Sequence, residues 1–226
     1  MEAECVGMTR SEAIKFLLIR SLGNFLLLFA LYGVGATFGP VLLYETEFRI
    51  NQARGVHFIV QREGEQRLFN NLVADKGQIL LAKDTQFGLV IPKIAANAKV
   101  IPNVDPISPA VFLPALERGV AHAKGSVFPG MPGNTYLFSH STDSWWNVGR
   151  YNAVFYLLKD LSVGDDIVVF FEGQRYNYVV AESRISGSTD TSLLTDTQTG
   201  PERLILQTCW PPGTTWKRLY VIAKPK

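Results

Sequence analysis

The chain has 226 residues, 47% of them apolar, and a formal net charge of +2. That length suits one folded domain of ordinary size with an appendage. A charge this close to zero, with no long basic run, sets aside a nucleic-acid-binding role.

Apolar residues concentrate first between Ser21 and Tyr44, a stretch without a charged side chain. It exceeds the roughly 20 residues that a helix needs to cross a bilayer. The apolar region of a cleaved secretory signal is shorter, about 7–15 residues. The expectation is a retained transmembrane anchor over 21–44, after a short tail over 1–20. Arg10, Lys15 and Arg20 precede the span, and Glu45 and Glu47 follow it. That asymmetry predicts a cytoplasmic N-terminus and a C-terminal domain on the outer face of the cell membrane. Cys5 and Cys209 then face opposite compartments, so they cannot pair, and Cys209 becomes an unpaired thiol in an exported domain. Cys5 reads as incidental, with acylation near the membrane as the alternative.

Residues 45–84 are polar and mixed in charge, and read as a stalk holding a short helix or strand. From Thr85 the chain turns to short apolar runs broken by Gly, Pro, Asn and Asp, the texture of an all-β domain over 85–226. Strands are predicted at Phe87–Ile91, Lys99–Ile101, Asn134–His140, Ile167–Phe171, Arg175–Ala181, Leu204–Cys209 and Leu219–Ala223. Two short helices interrupt them. One covers Val111–Arg118 and stops at Gly119. The other covers Ala153–Leu161, with Val154, Leu157, Leu158 and Leu161 at helical spacing. Many short strands with two short helices suggest a closed barrel, because closure removes exposed strand edges.

Three residues at predicted strand ends carry the chemistry. Cys209 ends one apolar run, Arg218 opens the next, and His140 closes an earlier one. A thiolate is the reactive form of cysteine and a nearby cation favours it. An imidazole moves protons, and a guanidinium holds a carbonyl or the negative charge that develops on its oxygen. By residue type alone each signal has a plain alternative: a lone cysteine is often simply buried, and a lone histidine is often structural.

The text around these residues resembles the sortase family of membrane-anchored cysteine transpeptidases. The family's Thr-Leu-any-Thr-Cys signature reads here Ile205-Leu206-Gln207-Thr208-Cys209, with Ile205 in place of the first threonine. Its arginine opens the next strand, as in Arg218-Leu219-Tyr220-Val221, and its histidine follows a Pro-Gly turn, as Pro129-Gly130 precedes Leu137-Phe138-Ser139-His140. Val90-Ile91-Pro92-Lys93-Ile94, Ala115 to His122 and Phe155 to Ile167 are similar to further family segments. The resemblance covers about residues 85–224.

It implies an all-β fold with short helices, a closed eight-stranded barrel preceded by one N-terminal transmembrane helix. It also implies cleavage of a C-terminal sorting signal of the Leu-Pro-any-Thr-Gly type. Cys209 forms a thioester, His140 moves protons and Arg218 clamps the substrate. The acyl group passes to an amine from a cell-wall precursor or a protein. Thr208 is expected to line the substrate pocket beside the thiol. Trp145 and Trp146 either wall the peptide groove or pack their loop onto the barrel. His122 is the rival base and reads as structural, and His57 falls in the stalk. The separated histidines and single exported cysteine show no zinc spacing, so no metal or cofactor is expected. Some sortases bind calcium through loop carboxylates. Asp190, Asp196 and Glu202 precede the nucleophile strand, but loop acids are ordinarily solvated.

Two other readings stay open: a peptidase that hydrolyses the thioester, and an inactive interaction barrel. An L,D-transpeptidase fails, because its His and Cys stand together whereas His140 and Cys209 are 69 positions apart. No Asp-Pro-aromatic lid of the pilin-polymerising type precedes the barrel; Asp105-Pro106 lies inside it and lacks the aromatic.

Overall fold

The computed structural model describes residues 9–61, 77–141, 154–195 and 197–226. The chain divides into two compact units, Met1–Leu43 and Tyr44–Lys226.

The first unit is formed by helix α1 (Arg10–Ala53), whose last turns belong to the second. Its start is capped reciprocally. The Thr9 hydroxyl accepts from the Glu12 N–H at 3.3 Å, and the Glu12 carboxylate accepts from the Thr9 N–H at 2.9 Å. Residues Arg10–Ala36 are long and apolar enough to cross a membrane. The helix outlasts the apolar stretch because polar residues continue it: Glu45 pairs with Arg49 one turn on at 2.8 Å.

Tyr44–Lys226 is built on a closed eight-stranded barrel, with order β10-β8-β7-β3-β4-β5-β6-β9. The strands are β3 (Phe87–Ile91), β4 (Ala96–Val104), β5 (Val120–Ala123), β6 (Asn134–Phe138), β7 (Asp166–Phe171), β8 (Gln174–Gly187), β9 (Arg203–Trp210) and β10 (Lys217–Pro225). Each of the seven predicted strands has its counterpart; β5, only four residues long, gave no periodic signal. The interior is filled by Leu89, Val100, Leu137, Ile167, Leu204, Leu206 and Val221, among others. Fully burying one such side chain stabilises the fold by about 1.5–3 kcal/mol.

Outer faces are covered too, which is why several strands read as continuous apolar runs rather than alternating ones. Helix α2 (Pro109–Arg118) packs over β4, β5, β6, β9 and β10, with Leu116 buried against Tyr136, Phe138, Ile205 and Tyr220. Proline opens this helix, where its missing N–H costs nothing. Gly119 ends it, so close to the Lys99 carbonyl that a Cβ would collide.

The segment expected as a stalk does more than link. Two strands, β1 (His57–Gln61) and β2 (Gly77–Leu81), pair in parallel as a separate small sheet. Val60 is buried with Val90, Val168 and Phe170 on the outer face of β3 and β7, and Arg175 Nη1 donates to the Val60 carbonyl at 3.0 Å. That apolar face needed a cover, and this segment supplies it. Of the helix expected over Ala153–Leu161, the described residues form a short 3-10 segment, Tyr156–Asp160, with Leu158 buried in the core.

Candidate active site

Three adjacent strands bring the three candidate residues together. β6 and β9 run parallel in a register that ends at Phe138↔Gln207. β9 and β10 run antiparallel with Cys209 directly opposite Arg218. Beyond Phe138 two further bonds carry the first register onward. The Ser139 N–H donates to the Gln207 carbonyl at 3.2 Å, and the Thr208 hydroxyl donates to the Ser139 carbonyl at 2.9 Å. Ser139 therefore lies beside Thr208, and His140, the next residue, lines the same cavity as Cys209. The strand itself stops at Phe138 rather than at His140, because the regular ladder ends there.

His140, Cys209 and Arg218, all half-buried, line one cavity of about 430 Å³. Its floor is the outer face of the same three strands: Tyr136 and Phe138, Gln207, and Tyr220. Phe112, Leu113 and Leu116 of α2 form one wall. Ser188, Asp190, Thr191 and Leu194, from the connection between β8 and β9, form the other. That connection contains the one-turn helix α3 (Ser192–Thr195). The three candidate residues stand at the rim where β6 and β9 end and β10 begins.

Cys209 carries a free thiol. The Arg218 guanidinium donates through Nη1 to the carbonyls of Thr215 at 3.1 Å and Lys217 at 3.2 Å, which folds it over the start of β10. Deeper in the floor, Tyr220 donates to the Asp190 carbonyl at 2.8 Å and Tyr136 donates to Gln207 Oε1 at 3.2 Å. Burial pushes both phenols above their ordinary pKa, so they stay protonated donors. No signal in residue type pointed to Tyr136, Gln207 or Tyr220. Strand period two did: they share parity with His140, Cys209 and Arg218 respectively, and so share a face.

Thr208 corrects an expectation. Its side chain is 1% exposed and does not line the cavity. Neighbours along a strand point to opposite faces, so a residue adjacent to Cys209 turns away from it. Its hydroxyl instead ties β9 to the segment bearing His140. Trp145 and Trp146 lie outside the described residues.

His122 is fully buried and away from this cavity. Its Nδ1 accepts from the Asn103 N–H at 3.4 Å, so Nε2 carries the proton and donates to the Val127 carbonyl at 3.1 Å. The ring stacks on Phe128 with centroids 4.6 Å apart, and burial lowers its pKa. This is a neutral structural histidine. His57 lies in β1.

Among the described residues no three His, Cys, Asp or Glu side chains stand together as metal ligands. Glu202 accepts instead from the Gly130 N–H at 3.0 Å and the Tyr178 hydroxyl at 2.7 Å. Asp190 accepts from the Ser192 N–H at 3.0 Å, and its hydrogen bonds to Ser192 hold its pKa down. Asp196 lies outside the described residues.

Comparison with known proteins agrees with this architecture. The chain is 30% identical over 139 residues to Sortase D of Bacillus subtilis (strain 168), covering 60% of this chain and 61% of that protein. The solved structure of a Clostridium perfringens Sortase D5 transpeptidase superposes with a TM-score of 0.50 at 22% identity, over 63% of this chain and 79% of that one. Sortase A from Corynebacterium diphtheriae gives 0.52 at 24%, over 63% and 61%. At those identities the two structures speak for the fold alone. The family model described as Sortase domain matches residues 89–226, the barrel from β3 through the last strand, and the chain belongs to the sortase family.

Proposed function

We propose that this chain is a membrane-anchored cysteine transpeptidase that cleaves a C-terminal sorting signal, of the Leu-Pro-any-Thr-Gly kind, and transfers the acyl part to an amine. The observation that carries the reading is the pairing of Cys209 with Arg218 across β9 and β10, in a cavity that His140 also lines. Membership of a family of cysteine transpeptidases supports it.

In this reading Cys209 passes its thiol proton to His140 and its sulfur attacks the scissile carbonyl. The guanidinium of Arg218, a planar fork, turns from the Thr215 and Lys217 carbonyls to the substrate oxygen that gains negative charge. The carbon–nitrogen bond breaks, and His140 gives its proton to the departing amine, leaving a thioester on Cys209. An incoming amine loses a proton to His140 and attacks the thioester. The new amide leaves, and the departing sulfur takes that proton back from His140 to restore the thiol. Apolar walls from α2 bury the acyl segment, while the rim opens to solvent and to the acceptor.

The basic N-terminal flank of Arg10, Lys15 and Arg20 supports a cytoplasmic N-terminus, with the barrel on the outer face of the cell membrane. Substrate proteins carrying the sorting signal and an amine on a cell-wall precursor or protein are the partners this implies.

The test incubates the chain with sorting-signal peptides, with and without added amine. A thioester seen by mass spectrometry on the parent and lost in Cys209→Ala, with amine-bearing product, is the expected result. The same acyl-enzyme in Cys209→Ala overturns the nucleophile, and free acid as the sole product in every arm overturns the transfer.

A further inference from the structure

The cavity floor carries chemistry that acyl transfer itself does not use. Gln207 lies two residues before Cys209 on β9 and shares its face, about 7 Å away along the strand. Its carboxamide is held by the neighbouring strand, since Tyr136 donates to Oε1 at 3.2 Å. Tyr220, the register partner of Gln207 on β10, commits its own proton to the Asp190 carbonyl at 2.8 Å. Both phenols are therefore occupied as donors. With Oε1 accepting from Tyr136, the amide of this cavity-lining residue keeps its two N–H groups as donors. The surrounding walls, from Phe112, Leu116, Phe138 and Leu194, are apolar.

We propose that Gln207 is a specificity-determining residue, selecting acyl donors whose cavity-inserted side chain offers a hydrogen-bond-accepting oxygen over an aliphatic side chain of equal size. The assignment rests on the transpeptidase reading of this cavity and narrows its substrate class. An aliphatic side chain seated over the amide strips it of water and returns no acceptor, whereas a carboxamide oxygen restores the bond. The discrimination is set by the polar floor and the seating by the apolar walls, so neither feature alone defines the preferred signal.

The test measures binding rather than turnover. The full chain carrying Cys209→Ala, in detergent, is titrated into fluorescent sorting-signal peptides that differ only by Leu or its near-isostere Asn at each position upstream of the acyl residue. Fluorescence polarisation should show, at one position, Asn favoured about fivefold, equivalent to about 1 kcal/mol. Adding Gln207→Leu should abolish or reverse that ratio at that position alone. Gln207→Met serves as a second near-isostere should the leucine variant lose its thermal unfolding transition. An unchanged ratio in the folded variant, or no Asn preference at any position in the parent, overturns the proposal. Absence of binding by every peptide, together with no thioester on the Cys209 protein, overturns the transpeptidase reading and this inference with it.

Discussion

Thr208→Val exchanges a hydroxyl for a methyl of nearly the same volume, so packing survives and one interaction is removed. The lost bond is the 2.9 Å donation to the Ser139 carbonyl, at a side chain 1% exposed beside a serine 5% exposed. Leaving a buried carbonyl short of its donor costs about 1–3 kcal/mol. For a unit of this size each kcal/mol moves the melting temperature by about 2–4 °C. A central cost of about 2 kcal/mol gives a fall of about 4–8 °C. The effect on turnover should be larger than stability alone explains. Ser139 immediately precedes the proposed proton carrier, and a displacement of about 1 Å at a reacting group can cost about 100-fold. The measurements are thermal unfolding and kcat for amine transfer, with iodoacetamide alkylation of Cys209 as a control. Expected are a lower Tm, a kcat down at least about tenfold, and alkylation little changed, because Thr208 faces away from the thiol. Thr208→Ser, which keeps the hydroxyl, should restore most of both. Equal Tm and kcat in parent and valine variant, or equal losses in serine and valine variants, would refute the argument.

Arg218→Lys should lower kcat at least about tenfold with the fold retained, because a point charge cannot reproduce a fork that spans two acceptors; unchanged steady-state kinetics would remove Arg218 from the site. The buried, neutral His122 makes stability depend on pH with a definite sign. Its native pKa lies below the unfolded value of about 6.5, so below that pH the unfolded chain binds the extra proton. Its contribution is therefore complete above about pH 6.5 and lost as pH falls toward the native pKa, by at most about 1.4 kcal/mol per pH unit. The denaturant midpoint should drop between pH 7 and 5, and drop less in His122→Gln; equal drops in the two proteins would show that His122 is not the titrating group.

Much of the barrel was legible because its strands are short, apolar and punctuated. Pro92 and Gly119 stop their elements where the sequence suggested. Less visible was anything decided by pairing over distance. β1 and β2 carry only short apolar runs, Phe58–Val60 and Ile79–Leu81, set in charged text, and only the outer face of β3 and β7 explains why Val60 is buried there. The run Ala153–Leu161 had helical spacing, and of its described residues only Tyr156–Asp160 are helical, as a short 3-10 segment. Residue type singled out His140, Cys209 and Arg218. The expectation for Thr208 came with the family resemblance, and parity sends its side chain to the other face. The same parity rule, applied to all three strands, yields Tyr136, Gln207 and Tyr220 as the floor.

The juxtaposition of His140 with Cys209 follows from one topological choice, the parallel pairing of β6 with β9. Parallel neighbours end at the same rim, so residues that close two such strands meet there however far apart they lie in the chain. An antiparallel neighbour starts where they end, and β10 accordingly delivers Arg218 from its second residue. The arrangement tolerates no slip, since a shift of one residue would turn every side chain of β9 to the opposite face. Burial on both faces blocks that slip: Leu204 and Leu206 fill the interior while Ile205 is buried under α2's side of the sheet. Inverting them would push Gln207 and Cys209 into the barrel core, where the carboxamide would lose Tyr136 and the thiol its opening. The proposed nucleophile is thus held in place by the same alternation that packs the barrel, and the Thr208–Ser139 bond extends that register the one step further that His140 needs.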